Sequence, residues 1–391
     1  MKLQLSLISL LLGGLALGMT EFMPMGLLPD MARSLGVTIP QAGHLISAYA
    51  IGVVVGAPVL VGLGNAYPPR RVLVVLMGLF GLFNALFALA PTYELLFAAR
   101  LLAGLPHGAF FGLGAVVAAQ LARPGRAASA VATMFAGLTV ANVVGVPLGT
   151  WLGHATHWRV PFALVAATAW LAAWRIRVRI PPLEATHEGG VGAALRLFLA
   201  PRLWPVVGIS AIGTGGLYAW ISYIAPMVTE VTHLPARDLS WVMMLAGLGM
   251  ALGNWLGGRI ADRMAPLRAT ALLLALMVLC SLAVAACAPW RVPTLVLTFV
   301  TGAVAFSVIA PLQMVMIEQA PSARTLASAM IQSTSNVGNA LGAWLGGLVI
   351  AAGWGYTAPL HVGAALAAVG VLLAWGLLVQ ARRRAGQATR G

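Results

Sequence analysis

Twelve long, almost uncharged apolar runs follow one another along this chain, and no other feature limits so tightly what it can fold into. A helix needs about 20 apolar residues to cross the hydrocarbon core of a bilayer. The runs cover residues 5–28, 41–64, 72–90, 93–121, 128–153, 159–178, 204–228, 240–261, 269–288, 292–318, 324–351 and 358–380. Proline, glycine and charge cluster in the gaps, as at Tyr67-Pro68-Pro69-Arg70-Arg71 and Asp262-Arg263-Met264-Ala265-Pro266. Charged residues make up only 8% of the chain, against about 25% in soluble domains, too few to cover a soluble surface. The runs are continuous rather than alternating, which excludes a closed β-barrel. Cys280 and Cys287, the two cysteines, cannot make a disulfide framework and read as small hydrophobes. The expectation is an all-α membrane protein with twelve transmembrane helices.

The first run opens Met1-Lys2 and is longer than the 7–15 residues of a secretory apolar region, with no A-x-A site after it. It reads as a retained helix. With both termini placed on the cytoplasmic side, 18 of the 23 basic residues fall inside, from Lys2 and Arg70 through Arg382, Arg383, Arg384 and Arg390. Arg33, Arg159, Arg237 and Arg291 fall outside, and Arg100 lies within a span. This is the asymmetry of the positive-inside rule for an even number of spans. It also absorbs the formal net charge of +14, so the basic balance carries no argument for nucleic acid binding.

The chain repeats itself at half its length. Gly145-Val-Pro-Leu148-Gly149-Thr-Trp151-Leu152-Gly153 matches Gly338-Asn-Ala-Leu341-Gly342-Ala-Trp344-Leu345-Gly346 in register. The two segments fall in runs 5 and 11, the equivalent places of a six-plus-six design. Residues 179–203, with Pro181-Pro182 and Glu188-Gly189-Gly190, form the longest polar connection and read as a cytoplasmic linker. The expected domains are 1–178 and 204–391, two six-helix bundles around a cleft, the architecture of an alternating-access carrier.

Polar residues inside the runs are the candidates for function. Glu21 sits at bilayer depth in Gly18-Met-Thr-Glu21-Phe22-Met-Pro24. A carboxyl there is costly unless paired, hydrated or protonated, and such acids mark proton relays more often than structural partners. Arg100, about one and a half to two turns into run 4, cannot carry the proton itself but can set the charge balance of a cavity. A snorkelling anchor is the equal alternative from depth alone. His107 could relay protons and is a further candidate for the cavity, although a buried, hydrogen-bonded histidine is the commoner case. Phe22, Asn84, Asn142, Tyr223, Gln313, Gln332 and Asn336 are candidates for a substrate cavity, with Asn254 and Asn339 weaker, although amides in spans commonly serve as inter-helix glue. His154 and His157 have a metal-like spacing but no cysteine or nearby acid to complete a site, so no metal is expected. No clustered nucleophile, base and acid appears, which argues against an enzyme. Trp158, Trp204, Trp290 and Trp354 read as interfacial anchors.

Together these segments resemble the major facilitator superfamily, specifically its drug:proton antiporter branch and the arabinose-efflux-permease-like carriers within it, over nearly the whole length. The resemblance rests on Gly18-Met-Thr-Glu21-Phe22 with Gly26-Leu-Leu-Pro29, and on Ala98-Ala99-Arg100 through Gly104-Leu-Pro-His107-Gly108. It rests further on Gly137 to Gly149, on Gly253-Asn254-Trp-Leu-Gly257-Gly258-Arg-Ile-Ala-Asp262-Arg263, and on Asn336-Val-Gly338-Asn339. It implies that Glu21 and Arg100 are proton-coupling residues and that Gly145, Pro147 and Gly149 form an exporter motif. Gly258, Asp262 and Arg263, with Arg70 and Arg71 in the first half, would form the inner gating motif. The first-half loop lacks the motif's acidic residue, which leaves the latch to the second half.

The resulting expectation is a proton-coupled exporter of small neutral or singly charged amphipathic molecules, of antibiotic, sugar or nucleoside class. It would sit as a monomer in a bacterial inner membrane, use the proton gradient and need no cofactor. A proton-coupled importer and a non-transporting sensor share the same fold expectation.

Overall fold

The computed structural model describes residues 2–64, 66–124, 126–183, 192, 196, 200–319 and 324–388. Among these residues helix is the only regular secondary structure, as expected of a chain crossing a bilayer that offers no water to satisfy its backbone. Twelve helical rods run back and forth. They are α1 (Lys2–Leu35), α2 (Ile39–Gly64), α3 (Pro69–Leu89), α4 (Tyr93–Leu121), α5 (Ala127–Val140 continued by Ala141–Gly145 and Val146–Ala155) and α6 (Arg159–Arg179). The second half holds α7 (Trp204–Gly208, Ile209–Gly213, Gly215–Ile221 and Ile224–Glu230), α8 (Leu239–Arg263), α9 (Pro266–Cys287), α10 (Arg291–Ser307 and Ile309–Gln319), α11 (Arg324–Ala351) and α12 (Ala358–Ala388). Most of the expected linker, residues 184–191, 193–195 and 197–199, lies outside the described residues.

Ten of the rods are long and apolar enough to cross a membrane. The other two are α6 and α11. Arginines and tryptophans dilute α6, and a polar stretch from Gln332 to Asn339 dilutes α11. The helices thus match the twelve expected runs in number and order, while length and composition support ten of them as spans.

Three interruptions share one cause. Proline lacks the N–H for an i→i−4 bond, and its ring crowds the carbonyl four residues back. In α5 the π-helical stretch Ala141–Gly145 contains Val143, four residues before Pro147. The break between Ile221 and Ile224 contains Ser222, four before Pro226. The break after Ser307 in α10 falls four before Pro311. The sequence reading took these runs as continuous. In the opposite sense, α1 was expected to stop at residue 28, yet it passes through Pro24 and Pro29 to Leu35. It ends only where Gly36 adopts a left-handed φ of +65°, the usual glycine stop of a helix. Glu21 is therefore deeper along α1 than expected.

Small residues set how closely the rods approach. A Cβ at Gly52 would strike the Leu101 carbonyl, and one at Gly104 the Tyr49 carbonyl, so α2 and α4 touch backbone to backbone. Gly145 and Gly149 of α5 face the side chains of Met19 and Met23 on α1. Here the glycines allow close helix packing.

Three apolar clusters fill the interior. One is built wholly from residues of the first half, among them Leu10, Phe80, Phe110 and Phe162. A second uses only second-half residues such as Leu203, Leu274, Leu312 and Met330. The third joins the halves: Phe22, Met25, Leu28 and Ile46 pack with Leu217, Trp220, Tyr223 and Val228. This shared cluster lies toward the end carrying the α1–α2, α7–α8 and α11–α12 connections, hereafter the sealed end. There Ser47 Oγ donates to the Ala340 carbonyl at 3.2 Å across the halves. Tyr223, freed from regular helix by the α7 break, donates its hydroxyl to Ala343 O at 2.7 Å. Its ring fills a notch floored by Gly43 of α2 and Gly346 and Gly347 of α11. On another flank, α8 packs against Ala141–Ala155 of α5 but barely meets Ala127–Val140, so the halves part toward the opposite end.

Trp158 does not behave as an interfacial anchor. It is buried, tilted against Phe87 at 5.6 Å and edge-on to Phe162 at 6.2 Å between ring centres. Trp204, Trp290 and Trp354 are exposed as anchors would be.

Candidate functional site

The deepest charges of the fold meet where α1, α2 and α4 cross. Arg100 is completely buried, which rules out the snorkelling alternative. Two of its three nitrogens have hydrogen-bond acceptors, and Nη2 has none. Nη1 donates to the Thr20 carbonyl at 3.1 Å and to Thr20 Oγ1 at 3.2 Å, and Nε donates to Leu45 O at 3.2 Å. The Thr20 carbonyl is available because the residue four positions on is Pro24, which has no N–H to offer it. Proline and arginine thus solve one problem together. A backbone acceptor that would cost several kcal/mol unsatisfied in hydrocarbon becomes a ligand for a buried cation. The guanidinium also lies over the Tyr49 ring at 4.2 Å and near the Phe87 ring at 5.4 Å, a favourable cation–π placement when desolvated.

Thr20 is held in turn by Asn84 of α3, whose Oδ1 accepts its hydroxyl proton at 2.5 Å and whose Nδ2 donates to Phe80 O at 2.8 Å. Asn84 is therefore a support for the arginine rather than part of the cavity wall.

Glu21 follows Thr20 and points the other way, into a cavity between the halves. It is 5% exposed. His107 Nε2 lies 3.9 Å from Glu21 Oε2, and His107 Nδ1 lies 2.7 Å from the Tyr49 hydroxyl. In the tautomer where Tyr49 donates to Nδ1, the ring proton sits on Nε2 and faces the carboxyl. From the second half, Tyr218 of α7 brings its phenol to the same carboxyl. Glu21 thus touches first-half groups on one side and a second-half group on the other.

The rest of the cavity wall is asymmetric. Phe22 stacks with Tyr218 at 6.5 Å and tilts against Phe306 at 6.2 Å. To the same wall, α7 and α11 contribute Thr214, Gln332, Ser335 and Asn336. Behind them Thr334 Oγ1 donates to Ser210 Oγ at 2.8 Å, and Asn336 Nδ2 donates to Gln332 O at 2.9 Å, leaving Asn336 Oδ1 unpartnered. Charge comes from one half and neutral hydrogen-bonding groups from the other. The cavity volume is about 60 Å³, room for a few waters at roughly 10–15 Å³ each. A larger guest requires the halves to move.

The structure brings Glu21, Phe22, His107, Gln332 and Asn336 together around this cavity, with Arg100 directly behind. It places the other candidates elsewhere. Asn142 is buried in the π-helical stretch of α5, Tyr223 is at the sealed end, and Gln313 is on the Ile309–Gln319 part of α10, none of them in the wall. Thr20, Tyr49, Tyr218 and Phe306 were absent from the sequence reading. Only Thr20 left a signal there, four residues before a proline.

Gly258, Asp262 and Arg263 lie at the end of α8, where Asp262 and Arg263 are exposed and Asp262 makes no ion pair among the described residues. Arg70 Nη1 donates to Ile180 O at 3.2 Å within the first half, and Arg71 is exposed. His154, read as incidental, pairs through Nδ1 with Asp30 Oδ2 at 2.8 Å and ties α5 to α1. Among the described residues no group of three metal-ligating side chains occurs.

Comparison with known proteins agrees with this picture. The family profile described as Major Facilitator Superfamily matches residues 10–323 and again 225–390. The chain is 40% identical over 373 residues to the inner membrane transport protein YdhP of Escherichia coli (strain K12), covering 95% of this chain and 96% of that one. It is 37% identical over 350 residues to AraJ of the same organism, covering 90% and 89%. It is 34% identical over 368 residues to a chloramphenicol resistance protein of Streptomyces lividans, covering 92% and 93%. Among solved structures, a D-xylose-proton symporter superposes with a TM-score of 0.75 over 96% of this chain and 98% of that one, at 16% identity.

Proposed function

The chain belongs to the Major Facilitator Superfamily, and from that premise we propose that it is a proton-coupled exporter of small neutral or singly charged amphipathic molecules. It is a multi-pass membrane transporter, and its carrier chemistry is read from one observation. A single buried carboxyl, Glu21, faces a cavity between the halves, backed by Arg100 and touched by His107 and Tyr218.

In this reading Arg100 holds a fixed positive charge that never leaves, so the cavity is neutral when Glu21 is ionised and positive when it is protonated. Substrate and proton then compete for the same space. A proton arriving from outside displaces substrate outward. Its loss to the cytoplasm readies the site for the next load. Net coupling requires only that the two states differ in affinity for proton and substrate. His107, bridging Tyr49 and Glu21, hands the proton to or from the carboxyl. The aromatic wall of Phe22, Tyr218 and Phe306 accepts an apolar ring, and Gln332 and Asn336 accept or donate to neutral polar groups.

The direction of transport is supported by likeness to the chloramphenicol resistance protein and by the exporter-like Gly145, Pro147 and Gly149. The reading includes twelve spans, the domain division at 179–203, cytoplasmic termini with the sealed end outward, a bacterial inner membrane and a monomeric carrier. Unlatched Asp262 and the parting of α5 from α8 accord with a state closed to the outside.

The test is proton flux in everted membrane vesicles, with phenicols, sugars and nucleosides added in turn. Wild type is expected to release protons on addition of a substrate, and Glu21→Gln to remain silent. Equal responses from both proteins would remove Glu21 from the coupling path. Substrate-driven proton movement of the opposite sign would make the protein an importer.

A further inference from the structure

Arg100 and Glu21 carry opposite charges on packed helices, yet they do not pair. The guanidinium bonds Thr20, the residue beside Glu21 in α1. Among the described residues the carboxyl's one basic partner within salt-bridge distance is His107, at 3.9 Å. Arg100 Nη2 is meanwhile left without an acceptor. A buried guanidinium with a spare donor would ordinarily close on a carboxylate so near, because charge-assisted arginine–carboxylate bonds are among the strongest available. Something holds it back.

The restraint is a directed chain of hydrogen bonds that begins in α3. Asn84 is fully buried, and its Nδ2 donates to the Phe80 carbonyl at 2.8 Å. That bond fixes which way the amide faces and leaves Oδ1 toward Thr20. Thr20 Oγ1 donates its one proton to Oδ1 at 2.5 Å. Its lone pairs then await a donor, and Arg100 Nη1 supplies one at 3.2 Å. With the amide reversed, the Thr20 hydroxyl would accept from Nδ2, and its own proton would be free to turn toward the guanidinium. Asn84 therefore acts on the arginine through Thr20.

We propose that Asn84 is a positioning residue for proton coupling: through the Thr20 hydroxyl it holds Arg100 on the α1 backbone and off the Glu21 carboxyl. This rests on the reading of Glu21 as the coupling acid. The separation matters because a carboxylate clasped by a guanidinium keeps its charge about 1–3 pH units further into acid. Held one residue away, the cation still balances the cavity while the carboxyl stays open to a proton, to His107 and to a guest. The titratable and charged groups facing Glu21 are Arg100 and His107 from α4, Tyr49 from α2 and Tyr218 from α7. The residues that α5, α9, α10 and α11 bring to the same cavity are uncharged.

Infrared titration of the purified full-length protein tests this without a substrate. The C=O stretch of protonated carboxyls, taken as the difference between each protein and the same protein carrying Glu21→Gln, reports Glu21. Thr20→Val and Asn84→Leu keep the shape and break the chain. Each is expected to move the midpoint of that band about one pH unit or more toward acid. Thr20→Ser retains the hydroxyl and should titrate as wild type. Because the two residues act in series, the double variant should shift no further than either single one. Unmoved midpoints in single variants whose melting temperatures show that they fold overturn the proposal, as do shifts that add in the double variant. A shift in Thr20→Ser equal to that in Thr20→Val overturns it as well, since packing would then be the cause. A wild type in which no Glu21 band titrates fails in a different way: it removes Glu21 as the coupling acid, and this assignment with it.

Discussion

Replacing Gly43 with alanine isolates the gate from the fold. A Cβ at this position of α2 would lie 3.0 Å from Tyr223 Cζ and 3.2 Å from Cε1, and closer still to the hydroxyl. Tyr223 cannot retreat, because its hydroxyl is bonded to Ala343 O at 2.7 Å and Gly346 and Gly347 flank its ring. Overpacking a rigid contact of this kind costs about 1–3 kcal/mol. The penalty exists only while the two halves are together at the sealed end, since Gly43 belongs to one half and Tyr223 to the other. Taking about 2 kcal/mol against an RT of about 0.59 kcal/mol, the equilibrium moves roughly 30-fold toward the state open at that end. The same substitution improves helix propensity by about 1 kcal/mol in both states, so thermal stability should not drop in step. Spin labels at Glu94 in the first half and Trp354 in the second, both exposed, on a background without Cys280 and Cys287, report the opening by electron–electron distance. A broadened, longer distance distribution is expected, together with slower substrate turnover. An unchanged distribution in a folded variant, or a stability loss with no shift in distance, would refute a gating role for the Gly43–Tyr223 contact.

Other perturbations separate the same layers. Gly247→Ala drives a Cβ into the Asn142 backbone carbonyl across the α5–α8 seam and should shift the label distance in the same direction. Gly52→Ala and Gly104→Ala instead force α2 and α4 apart inside one half, and should lower the melting temperature without moving the labels. Arg100→Ala strands the Thr20 carbonyl and the Glu21 charge, for a loss of about 3–5 kcal/mol in detergent unfolding. Arg100→Lys should recover much of that stability but little proton-coupled transport, since a single ammonium cannot hold both carbonyls. If proton and substrate compete at Glu21, substrate binding by wild type tightens as pH rises and that by Glu21→Gln is flat. Isothermal titration across pH distinguishes them, and a variant that keeps the wild-type slope would contradict competition.

How much of this was readable beforehand depended on the range of the interaction concerned. Apolar runs are local, and the bilayer demands little more than their length, so the order of the helices followed from sequence. The interruption of α5 at Ala141–Gly145, the second one of α7 and that of α10 each have a proline four residues on, yet the same residue in α1 leaves the helix continuous. At Thr20 the freed carbonyl is taken by Arg100, and that partner is 80 residues away. Glu21, Arg100 and His107 stood out because an ionisable group at bilayer depth is rare. Tyr49, Tyr218 and Phe306 did not, since an aromatic residue in an apolar run has no signature until its neighbours are known. Trp158 and His154 carried misleading signatures for the same reason. Near a helix end a tryptophan suggests an anchor and an isolated histidine suggests nothing, until Phe162 and Asp30 are brought against them.

The polarity of α11 has a bearing on how the protein is made. The stretch that supplies Gln332, Ser335 and Asn336 to the cavity is also what keeps α11 from qualifying as a span by composition. A segment leaving the ribosome is sorted into lipid largely on its own hydrophobicity, and α11 presents itself late, after ten helices have been placed. Its retention in the bilayer then depends on docking against α2 and α7, which already wait there with Gly215 and Ser47 at the contact. Each polar group added to α11 to recognise a new compound weakens that step further. The range of molecules a transporter of this design can evolve to recognise is bounded by biogenesis as well as by affinity.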